Sequence, residues 1–367
     1  MTTDGLEGVV VADTQLSDVD GERGRLVIRG HDVESLALAH DFEALCALLW
    51  TGALPSAAEH AELRARLGRA RMRAFERLPR LGDALDGADG MEGLRASLAH
   101  LRASEIDARD VHAELTGAVA VFAAAWARVR RGVAPLAPDP ALGHAADYLR
   151  MASARGTDPA RSRALDAYLV TAADHGMNAS TFTARVVAST DSDPVSAVVA
   201  GVGALKGPRH GGAPGPVLAM LDAIGSPERA AGWLAAELAA GRRIMGMGHR
   251  VYRVRDPRAA VLERAVERLR AAGLRSDRLD LARAVEAVAV ASLGERRPER
   301  RLAANVEFYT AVILDAIGLA QEQFSPTFAV ARVAGWLAHI DEQARGGRLI
   351  RPSSRYVGPA PETPVAA

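Results

Sequence analysis

Three histidines sit where the chain is built to bend rather than to pack. His210 lies in Gly207-Pro208-Arg209-His210-Gly211-Gly212, directly after Lys206, the only lysine of the chain. His175 lies in Asp174-His175-Gly176-Met177-Asn178, and His249 in Met245-Gly246-Met247-Gly248-His249-Arg250. Glycine lets backbone come close to a ligand and takes φ values that other residues avoid, so an imidazole flanked by glycines can meet a small molecule closely. A carboxylate in Asn305-Val306-Glu307-Phe308-Tyr309 could join them. So could arginines in Arg250-Val251-Tyr252-Arg253-Val254-Arg255-Asp256-Pro257-Arg258. Imidazoles and a carboxylate are the groups that move protons, and a glycine loop with arginines before a helix start suits a phosphate or carboxylate. Taken singly, each histidine fits a structural role as well as a chemical one. Glu307, at a helix start, fits a partner for the helix dipole equally well.

The elements that must hold these residues are almost all helical. Strand signals occur only at Val9-Val10-Val11 and Leu26-Val27-Ile28, around the turn-rich Ser17 to Gly24, and predict a small hairpin at most. From about Val33 onward the spacing is helical. Pro55-Ser56 opens an amphipathic helix to about Arg80, and residues 81 to 93, rich in Gly and Asp, read as a loop. Further helices are predicted at about 107–131, 139–153, 159–174, 178–190, 193–205, 214–224, 227–241, 256–272, 277–293, 303–318 and 326–345. No period of 20 to 50 residues repeats, and the tail from Pro359 reads as loose.

Composition narrows the chemistry. The chain has 367 residues, 49% hydrophobic and 25% charged, with no formal net charge. That length holds two domains and a large core, and the absence of a basic field argues against nucleic acid as a partner. Of the 45 basic residues all but Lys206 are arginine, so arginine density alone is no sign of phosphate recognition. Cys46, the single cysteine, lies in an apolar helical run and reads as core. Met1 to Gly5 carry no basic and apolar leader, and no apolar run approaches bilayer length, so the expectation is a soluble, cytoplasmic protein.

Several common chemistries lack their motifs: there is no G-x-S-x-G elbow, Walker A loop or H-E-x-x-H, and Gly246-Met247-Gly248 is short of a dinucleotide fingerprint. No two histidines stand three or four residues apart, and no cysteine cluster exists, so no metal site is expected.

In combination these stretches resemble the citrate synthase family. The resemblance rests on Gly5 to Val10, Asp18-Val19-Asp20-Gly21 and Arg29-Gly30-His31-Asp32; on His175 to Phe182; on Ala204 to Ala213; on Ile244 to Arg258; on Asn305 to Tyr309; and on Arg351-Pro352-Ser353 with Tyr356-Val357-Gly358. They run in the family's order over nearly the whole chain, with little signal between about 80 and 155. The resemblance implies a two-domain, all-α homodimer with a small N-terminal β-hairpin. A large domain (1–212 and 319–367) would carry a small one (213–318) that closes over substrate, with the His210 turn at the hinge. It also implies condensation of acetyl-CoA, a co-substrate rather than a resident cofactor, with oxaloacetate, followed by hydrolysis of citryl-CoA. His210 would then donate to the thioester oxygen, Glu307 would be the base and His249 would polarise the ketone. His175, Arg258, Arg332 and, from the partner subunit, Arg351 would hold the dicarboxylate. Met245, Gly246, Met247, Gly248 and Arg253 would meet coenzyme A. The same residues suit 2-methylcitrate synthase, which takes propionyl-CoA.

Two positions depart from the family's pattern. Position 307 is Glu where the base is typically Asp, and a shift of about 1 Å in a catalytic group can cost roughly a hundredfold in rate. The expectation is that the backbone retreats to compensate; the other reading is a non-catalytic paralogue that binds acyl-CoA or dicarboxylate. Position 176 is Gly where many members have Glu, a change expected to alter packing more than chemistry.

Overall fold

The computed structural model describes residues 4–6, 8–153, 158–212, 214–249, 251–274, 277–296 and 302–359. Glu7, Ala213 and Arg250 of the stretches quoted above, residues Met1 to Thr3 and the tail beyond Pro359 lie outside these residues.

The strands are β1 (Ser17–Asp20), β2 (Arg25–Ile28) and β3 (His31–Asp32), an antiparallel sheet in the order β1-β2-β3. Ser17 pairs with Ile28 and Val19 with Leu26. The expected pairing of Val9-Val10-Val11 with β2 is therefore wrong: β2 pairs with the residues directly across the turn Gly21–Gly24. Loop length sets hairpin register, and four turn residues leave no slack to reach back to position 11. Val10 is 84% exposed, without a neighbour to bury it.

Fifteen α-helices follow among the described residues. The first nine are α1 (Val33–Ala39), α2 (Phe42–Thr51), α3 (Ala57–Glu76), α4 (Gly90–Ala99), α5 (Val111–Val129), α6 (His144–Ala152), α7 (Pro159–Ala172), α8 (Ala179–Ala188) and α9 (Pro194–Leu205). The remainder are α10 (Pro214–Ile224), α11 (Ala230–Ala239), α12 (Pro257–Ala271), α13 (Asp277–Arg296), α14 (Val306–Ala316) and α15 (Phe324–Gly346). Three of them start on the same two residues: Asp158-Pro159, Asp193-Pro194 and Asp256-Pro257, where the aspartate side chain caps a free backbone N–H and proline takes the first helical position. Helix α3 has a full capping box between Ser56 and Glu59.

The loop expected at 81–93 ends early, because α4 starts at Gly90. Its glycines are there for packing: a Cβ on Gly90 would stand 2.8 Å from the Trp126 ring, and one on Gly93 also 2.8 Å. Helix α4 thus lies flat on the indole of α5, a reason for glycine that local sequence does not show.

Helix α15 is the axis of the fold. It is buried on nearly every side from Phe324 to Ile340, against α5, α7, α8 and α9 among others, as expected of a helix apolar all round. Helices α10, α13 and α14 pack together, and α12 bridges from α14 to α7 and α1. Cys46 is wholly buried. No helix among the described residues is long and apolar enough to cross a membrane.

Candidate active site

Five segments meet: the turns 173–178, 206–212 and 244–256, the first turn of α14 and the middle of α15. The turn before α12 is shaped by backbone pairing. Met247 bridges Ala304, Gly248 N donates to Ala303 O at 2.8 Å, and Asn305 N donates to Gly246 O at 3.0 Å. Gly246 and Gly248 have φ of 73° and 84°, and a Cβ on Gly246 would stand 2.9 Å from Phe308 Cβ. Glycine is required here by both conformation and space. Of the segment Met245 to Gly248, expected from the resemblance to meet coenzyme A, the Gly248 N–H is thus taken up within the protein. Arg253 is exposed, and its backbone N–H donates to Gly21 O at 2.9 Å. Gly21 admits this contact because it has no Cβ, which would stand 2.3 Å from Val251 O. The β1–β2 turn therefore seats the segment after His249.

His249 has a defined tautomer. Its Nδ1 accepts the backbone N–H groups of Val251 and Tyr252 at 3.0 and 3.1 Å, so the proton of the neutral ring is on Nε2. Arg258 Nη2 lies 3.3 Å from that nitrogen. Arginine has no acceptor, so two donors stand side by side, ready for two neighbouring oxygens. Buried Asp256 holds Arg258 through Nε at 3.0 Å and Nη2 at 2.7 Å, caps α12 at Arg258 N, and accepts Val306 N at 3.1 Å. One carboxylate thereby ties the start of α12 to that of α14, and Arg258 to Glu307.

Glu307 is the second residue of α14, whose cap is Asn305. Its Oε2 is inaccessible and has no hydrogen-bond partner among the described residues. Burial pushes its carboxyl above the usual range, opposed by Arg258. A carboxylate with one oxygen unpartnered and raised proton affinity is suited to taking a proton.

His210 Nε2 is 2.8 Å from Ser180 Oγ. That hydroxyl accepts Trp336 Nε1 at 3.1 Å and donates to Asn178 Oδ1 at 2.9 Å. With its proton there, Ser180 accepts from His210, and Nδ1 of the ring is left an acceptor. Turning the hydroxyl proton to Nε2 makes Nδ1–H a donor, while Asn178 Oδ1 keeps the Thr181 N–H at 3.1 Å. Ser180 is thus the switch of the His210 tautomer. The His210 ring meets Phe328 edge-on at 6.1 Å, and the Arg332 guanidinium lies over that phenyl at 4.7 Å.

His175 Nε2 is 3.1 Å from Tyr252 Oη, and its ring is 5.5 Å from that of His249. Gly176 has φ of 56° and a backbone buried against Val19, so a glutamate at that position would be strained. Burial, with Arg258 next in weight, holds His175 well below the usual histidine range. His210 is lowered to about 4 by burial and then Arg332, and His249 to about 4 by burial and then Arg258, with Asp256 opposing. All three rings are neutral at pH 7. Arg332, buried in α15, donates Nε to Ala172 O at 2.7 Å and leaves Nη1 without a partner among the described residues. Burial lowers it to about 10, so it stays charged.

The fold thus brings His175, His210, His249, Glu307, Arg258 and Arg332 to one place, with the guanidiniums of Arg258 and Arg332 beside the three imidazoles and the Glu307 carboxyl. Arg351 is elsewhere: it is exposed beyond α15 and lines a separate cavity of about 980 Å³ with Arg29, Trp50, Phe182 and Arg185. Sequence reasoning did not single out Asp256, Ser180, Tyr252, Asp174 or His339. Only Asp256 carried a local signal, as the cap before Pro257. Among the described residues no cluster of His, Cys, Asp and Glu could hold a metal ion.

The sequence model of the citrate synthase C-terminal domain matches residues 5–353. A citrate synthase of Haloferax volcanii is 38% identical over 96% of this chain and 95% of its own length. A 2-methylcitrate synthase of Mycobacterium tuberculosis is likewise 38% identical, over 96% of this chain and 90% of its own. Among solved structures, the citrate synthase of Thermoplasma acidophilum in ternary complex with carboxymethyl coenzyme A and oxaloacetate is 28% identical, and the alignment covers 100% of this chain and 98% of that one with a TM-score of 0.86. The fold and these relatives therefore define an acyltransferase, of the kind that converts the acyl group into an alkyl group on transfer. The chain belongs to the citrate synthase family.

Proposed function

We propose that this protein is a citrate synthase, joining acetyl-CoA to oxaloacetate and hydrolysing citryl-CoA to citrate and coenzyme A. The observation that carries the reading is the donor pair His249 Nε2 and Arg258 Nη2, 3.3 Å apart. A 2-oxo acid offers its ketone oxygen and a carboxylate oxygen side by side, which two adjacent donors match. His249 takes the ketone oxygen, and Arg258, Arg332 and His175 take the carboxylates. Glu307 removes a proton from the acetyl methyl group while His210 donates to the thioester oxygen, stabilising the enolate. The enolate carbon then forms the new bond to the ketone carbon of oxaloacetate. The ketone oxygen becomes an alkoxide that is protonated through His249, and water cleaves the citryl thioester.

Residues 213–318 form the small domain that closes over the substrates, with the turn at His210 as the hinge. Met245 to Gly248 and Arg253 meet coenzyme A. Arg351, exposed in its own chain, serves the site of the partner subunit in a homodimer that works in the cytoplasm. The 38% identity to a 2-methylcitrate synthase favours a second reading, with propionyl-CoA as donor. One methylene is worth only about 1–3 kcal/mol of discrimination. Thiol release from acetyl-CoA and propionyl-CoA with oxaloacetate tests both: a higher kcat/KM with acetyl-CoA is expected, and a higher value with propionyl-CoA replaces the first reading with the second.

A further inference from the structure

Helix α15 grips three consecutive residues next to His175. Arg332 Nε donates to Ala172 O at 2.7 Å, the Cβ position of Gly335 would lie 2.2 Å from Ala173 O, and His339 Nε2 faces Asp174 Oδ1 at 3.1 Å. Positions 332, 335 and 339 share one helical face, so α15 acts as a ruler laid along 172–174. Beyond Asp174 the Ser17 hydroxyl of β1 donates to Oδ2 and accepts the Gly176 N–H at 3.0 Å. Arg185 Nη1 donates to His339 Nδ1 at 3.1 Å, which leaves the His339 proton on Nε2, directed at Asp174. Asp174 and His339 are wholly buried, and Arg185 is 3% exposed.

A buried carboxylate, imidazole and guanidinium are costly to desolvate, and apolar residues of similar volume often give equal stability. A network of this kind, closed around one turn, has its use in orientation. We propose that Asp174, held by His339 and Ser17, is the positioning residue for His175, setting the turn so that His175 Nε2 faces Tyr252 Oη and the oxygens of the dicarboxylate. This rests on the reading of His175 as a substrate donor. Arg185, which fixes the His339 tautomer, is itself held by Glu342 Oε2 at 2.6 Å and Gln343 Oε1 at 3.1 Å.

The test uses the full-length protein and the variants Ser17→Ala, His339→Leu and His339→Gln, the last able to accept from Arg185 and donate to Asp174. Ser17→Ala and His339→Leu are expected to raise KM for oxaloacetate about tenfold or more, as loss of an outer-shell partner does, with KM for acetyl-CoA unchanged. His339→Gln is expected to restore most of that loss. In a His175→Ala background, Ser17→Ala is expected to add nothing. Equal rises in both KM values, a full further loss in the His175→Ala background, or an unchanged oxaloacetate KM in Ser17→Ala would overturn the inference. Ser17→Ala removes only a half-buried hydroxyl, so it keeps the test open if His339→Leu does not fold. Calorimetric titration with oxaloacetate separates the two levels: a wild type that does not bind it overturns the functional reading and the inference with it, whereas a wild type that binds it while Ser17→Ala has the same Kd overturns the inference alone.

Discussion

Arg258 Nη2 stands 3.3 Å from His249 Nε2, a donor beside a donor, with Nδ1 of the imidazole occupied by two backbone N–H groups and the guanidinium held by Asp256. Neither group can turn away without losing those partners, so the pair waits for oxygens that a ligand must bring. Removing one such donor from a site that stabilises developing negative charge costs about 10²–10³ in kcat. His249→Ala is expected to lose that much in steady-state thiol release, and a loss below about tenfold would contradict the role given to His249.

Ser180 decides which nitrogen of His210 carries the proton, through contacts at 2.8 Å to His210 and 3.1 Å from Trp336. Ser180→Ala leaves the ring free to adopt either tautomer. Its kcat is expected to fall about 10–100-fold, the usual cost of losing an orienting partner, with little change in oxaloacetate affinity measured by calorimetry. A larger effect on that affinity than on kcat would instead place Ser180 among the dicarboxylate's contacts.

Acid should unfold the protein early. His210 and His249 have folded-state values of about 4, below the unfolded histidine at 6.5. Between those values the unfolded chain binds more protons, so stability is lost as pH falls from 6.5 toward 4. Glu307, Glu43 and Asp166, raised by burial, act in the opposite sense, giving up stability as pH rises, but their change falls near and above the ordinary carboxylate range, whereas His210, His249, His175 and His144 all lose stability as pH falls below 6.5. Thermal melts from pH 7 down to 4 are expected to show a falling Tm that is shallower in His210→Gln. A flat profile would mean that the rings are charged in the folded protein.

The closeness of α15 to the turn before His175 is a matter of one hydrogen. A Cβ on Gly335 would come within 2.2 Å of Ala173 O, whereas one on Gly203 meets nothing within 4 Å. Gly335→Ala is expected to destabilise by about 1–3 kcal/mol or more through overpacking, while Gly203→Ala in α9 is expected to gain up to about 1 kcal/mol from helix propensity. Urea denaturation of the two variants checks the contrast, and equal effects would contradict it.

What the sequence makes legible follows how local the cause is. The starts of α7, α9 and α12 could be read because an Asp-Pro pair does its capping within one turn. Helix α4 could not, since Gly90 and Gly93 look like loop residues until Trp126, more than thirty positions on, is seen beneath them. Val9 to Val11 look like a strand, but the short turn at 21–24 pairs β2 with Ser17 to Asp20 instead. In the site, the glycine-flanked histidines stood out, and the family resemblance gave them roles. Asp174 did not stand out, because its partners Ser17 and His339 are 157 and 165 positions away and each is an ordinary residue where it stands.

Glu307 has one methylene more than the aspartate expected there and an inaccessible Oε2 with no hydrogen-bond partner among the described residues. The most direct measurement is coenzyme A release from acetyl-CoA and oxaloacetate by wild type and Glu307→Gln, with oxaloacetate binding titrated alongside. Turnover by the wild type is expected, with a loss of about 10²–10⁴ in the variant, the range for a general base, and oxaloacetate still bound. A wild type that releases no thiol, or a Glu307→Gln variant that keeps its rate, would contradict that expectation.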